Sequence, residues 1–176
     1  MDWYISLVKA HPILTAMAQF AVLGTLGEVL SRWVAERRFF CPFGARGNLL
    51  RMAGWALLAV FIKYAFTGFV AFVDGLCAHG LLPELGAFGR AFAVSLAMNL
   101  QFGPFLVIVH RLIDNAIAGR ANWANLDKGF LSLLWFWVPA HTVTFLLPPD
   151  FRIGLAAVWS LALGVILGFY ARRPAA

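Results

Sequence analysis

Glu28 and Lys63 each stand inside a long apolar run, where an ionisable group needs a reason to exist. A charge at the centre of a bilayer costs at least about 2.5–3.5 kcal/mol on insertion scales, so it persists where it is paired or wet. Side chains lean toward the N-terminus of their own helix, so two antiparallel helices would bring this acid and this base together. Other polar residues recur at helical spacing. Ser95, Asn99 and Gly103 form an i, i+4, i+8 stripe beside Pro104, and Trp137, His141 and Thr144 share a face around Pro139. Ala156, Ser160, Gly164 and Gly168 form a stripe of small residues. At about 1.5 Å per residue, Lys63, Asn99, His141 and Thr144 fall at one depth, roughly 18–21 Å from the same membrane face.

Two chemistries fit such a layer. In the first it lines a constriction or midplane site for a small polar or anionic solute. Lys63 then supplies positive charge, Glu28 tunes it, and Asn99, His141 and Thr144 hydrogen-bond the solute. Ser95, Trp137 and Ser160 are secondary candidates, and His141 would make passage respond to pH. In the second, the polar groups only join helices, each worth about 0.6–2 kcal/mol, and a Glu28–Lys63 pair fixes helix register. Ser95 and Ser160 taken singly fit this plainer role. No HExxH, GxSxG, GxGxxG or P-loop spacing occurs, and no two carboxylates share a site. The sequence therefore predicts no enzyme, no metal and no cofactor.

The elements that must position these residues are helices in lipid. Of 176 residues 62% are hydrophobic and 12% charged, with mean hydropathy +0.81. A soluble domain of this length could not hide so much apolar surface. Five apolar segments are expected, at about Pro12–Ala35, Leu49–Val73, Phe88–Ile113, Gly129–Leu147 and Ile153–Tyr170, in one all-α, multi-pass transmembrane domain. The fourth is short and carries Pro139, so a broken or re-entrant segment with four true crossings is the alternative. Residues 1–11 read as an interfacial helix with Trp3, Tyr4 and Leu7 on one face.

The net charge of +6 sorts by topology rather than forming a nucleic-acid face. Arg32, Arg37, Arg38, Arg46, Arg51, Arg111, Arg120, Lys128, Arg172 and Arg173 fall on one side, and Lys9, Arg90 and Arg152 on the other. This bias sets the N-terminus outside and the C-terminus inside. Cys41 and Cys77 then lie on opposite faces and read as plain apolar residues. The Gly164–Gly168 GxxxG element is of the kind found at close helix crossings, and it leaves a homo-oligomer open.

Several of these motifs together resemble the Mpv-seventeen family, which includes the twenty-two-kilodalton peroxisomal membrane protein. His11-Pro12-Ile13-Leu14-Thr15 is similar to the family's opening, and Leu26-Gly27-Glu28 to its Leu-Gly-Asp. Arg51-Met52-Ala53-Gly54 is similar to the start of its second helix. Trp137 to Phe145 resembles its W-P-x-x-Q-x-x-N-F block, and Pro148-Pro149-Asp150-Phe151-Arg152 its P-P-x-x-R ending. Lys63 stands where the family has histidine, Met98-Asn99 where it has Asp-Gln, and His141 and Thr144 where it has Gln and Asn. The resemblance implies a small multi-pass protein with a channel-like role for small metabolites, usually drawn with four crossings. With no transit peptide evident, the expected location is a bacterial inner membrane, with an organelle membrane as the alternative. Lipid and a small solute are the expected partners.

Overall fold

A computed structural model describes residues 2–171. Arg172 and Arg173, counted above on the inner face, lie outside the described residues. The chain is all-α: α1 (Asp2–Ala10), α2 (Pro12–Glu36), α3 (Gly44–Ala78), α4 (Ala87–Ala118), α5 (Leu126–Ser132), a π-helical turn (Leu133–Trp137), α6 (Val138–Leu146) and α7 (Pro149–Tyr170). Among the described residues five helical segments are long and apolar enough to cross a bilayer, α5 to α6 counting as one, Leu126–Leu146. The expectation of a multi-pass transmembrane helical bundle is met. Many large apolar side chains point outward, among them Leu14, Leu57, Tyr64, Leu100 and Leu131. Lipid is the solvent that such a surface suits.

Local chemistry sets the ends of the helices. Pro12 opens α2, where its missing N–H is not needed, and His11 alone separates α1 from α2. α2 stops at Arg37, which takes a left-handed conformation (φ 55°). The Trp33 indole N–H then donates to the Phe40 carbonyl at 2.6 Å and pins the following loop. α4 ends in a Schellman turn on Gly119 (φ 63°), with Gly119 N–H donating to Ala116 O and Arg120 N–H to Asn115 O. The π turn sits just before Pro139. A proline clashes with the carbonyl four residues back and has no N–H to give it, and widening the preceding turn relieves both problems. The segment that the sequence left open between a span and a break is thus continuous helix with one wide turn.

The chain divides into two compact units, residues 1–59 with 153–176, and residues 60–152. The boundary falls inside α3. In the first unit α7 lies directly on α2. A Cβ on Gly27 would come within 2.6 Å of the Ser160 carbonyl, and one on Gly168 within 2.6 Å of the Ser31 carbonyl. A Cβ on Gly164 would strike the Gly27 carbonyl. Gly164 and Gly168 of the small-residue stripe thus serve a close crossing of α7 on α2 within the chain. α1 packs through Tyr4, whose hydroxyl accepts from Gln19 Nε2 (3.2 Å) beside Gly154, while Trp3 and Leu7 stay exposed.

In the second unit α4 runs antiparallel to the α5–α6 segment. Val107 faces Gly129, Gly103 faces Leu133, and Ser95 reaches Val138. At the far end Arg90 of α4 takes the Asp74 carboxylate of α3 with two hydrogen bonds of 2.6 Å.

Candidate functional site

The second unit gathers most of the predicted polar layer. Ser95 Oγ donates to the Val138 carbonyl at 2.7 Å, crossing from α4 to α6. Asn99 Nδ2 donates to Ser95 O at 2.8 Å and faces His141 Nδ1 at 3.3 Å. The Ser95 carbonyl accepts only, so it fixes which way the Asn99 amide points. His141 Nδ1 is then the acceptor and Nε2 carries the ring proton. Among the described residues neither Asn99 Oδ1 nor His141 Nε2 has a hydrogen-bond partner. One acceptor and one donor thus stand ready in a buried place, His141 being 8% and Asn99 3% exposed.

Aromatic rings surround the imidazole. Trp137 stacks on it at 5.0 Å, Phe66 of α3 meets it edge-on at 5.3 Å, and Phe145 lies 6.5 Å away while packing on Phe66. The predicted Trp137–His141 face is therefore real. Thr144 is fully buried, and its hydroxyl donates to Ala140 O in its own helix at 2.9 Å. Thr142 behaves alike toward Val138 O, at 2.7 Å.

Lys63 lies on α3 one turn before Phe66, more than about 20 Å from either end of that helix. It is half-buried, and among the described residues it has no ion-pair partner.

Glu28 is placed differently from expectation. Its carboxylate pairs with Arg51 and accepts from the Trp55 indole at 2.7 Å, all within the first unit. Hairpin geometry explains this. Glu28 is eight residues before the end of α2 and Arg51 seven after the start of α3, so they meet at equal height, whereas Lys63 lies roughly 18 Å further along. The Arg51 guanidinium also lies 3.9 Å over the Phe43 ring, and Trp55 stacks on Phe20 above Gly24. Arg51 was read as a topology cation, yet its i, i+4 relation to Trp55 was a signal that both serve one face. Ser160 packs against Gly27 through its backbone, and its hydroxyl donates to Ala157 O at 2.5 Å.

The sequence reading missed the aromatic enclosure of His141. The i±4 spacing of Trp137 and Phe145 about His141 pointed to two of its rings, but nothing local pointed to Phe66. Both cysteines are free thiols. No protein-family model, curated protein or solved structure matches this chain.

Proposed function

We propose that the chain is a channel or facilitator for small polar or anionic metabolites, with the solute meeting Lys63 and the Asn99–His141 pair. The observation that carries this is Lys63. An ammonium mid-way along a membrane helix, half-buried and without an ion-pair partner among the described residues, is costly unless its surroundings are wet or hold an anion. The donor and acceptor left open on His141 and Asn99 supply the hydrogen bonds that a solute losing its water needs. The reading is of a transporter rather than an enzyme, in a bacterial inner membrane. Kinship with the Mpv-seventeen family belongs to the same proposal and rests on the motifs from Leu26 to Glu28 and from Trp137 to Arg152.

Proteoliposomes holding the purified protein test it, with uptake of small organic anions and of neutral solutes measured for wild type and Lys63→Ala. Anion uptake falling at least about tenfold in folded Lys63→Ala is expected, and unchanged uptake removes the role given to that lysine. One observation favours a second reading, a packing protein without transport: Ser95 and Asn99 bond α4 to α6 directly. Under that reading no wild-type flux is seen, and Asn99→Leu changes only thermal stability.

A further inference from the structure

Arg152 has no acidic partner among the described residues, and its contacts determine which edge of it stays open. It sits in the first turn of α7, behind Pro148-Pro149, and is half-buried. Its Nε donates to the Leu147 carbonyl at 2.9 Å. Its Cζ lies over the Phe145 ring, 5.6 Å from the centroid. The carbonyl holds Nε and the ring covers one face of the guanidinium, so the two Nη groups remain as donors. Paired N–H groups of a guanidinium take a carboxylate or phosphate through two parallel hydrogen bonds. The aromatic contact uses up none of those donors, because the ring attracts the cation through its face.

Arg90 provides the comparison. The antiparallel pairing of α4 with α5–α6 puts the start of α4 at the same end of the unit as the end of α6. There the Arg90 fork is already filled by Asp74. Of two guanidiniums at this end, one is spent on the fold, and the Nη groups of the other have no hydrogen-bond partner among the described residues. Phe145, the ring that Arg152 covers, also lies 6.5 Å from the imidazole of His141.

We infer that Arg152 is an oxyanion-receiving site at the end of the second unit where α4 begins and α6 ends, taking the carboxylate or phosphate group of a small ligand. A free organic anion and a lipid headgroup phosphate offer the same chemistry to this fork. Identifying the occupant as the transported solute rests on the proposed function; the site itself does not.

The test uses the full chain, first in detergent. Binding of radiolabelled succinate and of inorganic phosphate is measured for wild type, Arg152→Gln and Arg152→Lys, and succinate uptake is measured in phosphatidylcholine liposomes. Arg152→Gln weakens binding at least about tenfold, as expected for loss of charge-assisted hydrogen bonds. Arg152→Lys keeps the charge but loses the fork, and falls between. Should Arg152→Gln fail to fold, Arg152→Lys carries the test. Displacement of the probe by short-chain phosphatidylglycerol at lower concentration than unlabelled succinate identifies the headgroup as occupant. Equal binding by wild type and Arg152→Gln, or no binding of either probe by wild type, overturns the site. Binding that depends on Arg152 without any uptake leaves the site standing and sinks transport. Uptake with no Arg152 dependence in binding does the reverse.

Discussion

Each ionisable group in the apolar segments has its own solution, and the sequence foretold the need better than the partner. Glu28 needed a cation and has one, but Arg51 holds it rather than Lys63. Helix lean alone suggested Lys63, whereas the loop between α2 and α3 sets the hairpin register and brings Arg51, roughly 18 Å nearer the loop, to the height of Glu28. With both side chains largely buried, Glu28→Ala should lower stability by about 3 kcal/mol by stranding Arg51. The Glu28→Ala/Arg51→Ala double variant should recover part of that loss. Melting temperatures in detergent for the four members of the cycle check it, and additive losses would mean that the pair is not coupled. Asn99 and His141 were legible as one layer because helical spacing and rise put them at one depth. Their direct hydrogen bond was not, because it depends on how α4 and α6 are rotated toward each other.

Helix number, type and approximate limits could be read from hydropathy, since five apolar runs of bilayer length admit no other structure. The glycine stripe on α7 was also visible, but its partner was not. A small-residue stripe says that something approaches closely without saying whether it is the same chain. Here it is α2, with the Gly27 carbonyl where a side chain on Gly164 would be. Gly164→Val should therefore separate α2 from α7 and cost at least about 1–3 kcal/mol, because backbone cannot step aside as a flexible side chain can. Gly68 has open space around it, and Gly68→Ala on α3 is the control, with little change expected. Chemical denaturation in a mixed micelle compares the two.

At the scale of the whole molecule the prediction is topological. Five crossings alternate the loops between faces, so the α4–α5 loop at Ala121 and the α6–α7 turn at Pro148 belong on opposite sides. Single cysteines placed there, in a chain with Cys41 and Cys77 replaced, should react with an impermeant maleimide from opposite sides of sealed vesicles. The cationic bias puts the Ala121 loop, beside Arg120 and Lys128, on the inner face. Labelling of both from one side would return the fourth segment to a re-entrant form.

The wide turn at Leu133–Trp137 holds one residue more than regular helix would use over the same rise. This gives the fourth segment a reading frame that the other helices lack. Removing one residue elsewhere in a helix rotates everything beyond it by about 100° and would carry Asn99 or His141 off its face. Removing one residue between Leu133 and Trp137, together with Pro139→Ala, would instead leave α5 and α6 presenting the same faces to α4. The turn is thus the one place in this segment where a residue can be gained or lost while the helix pairing around His141 keeps its phase.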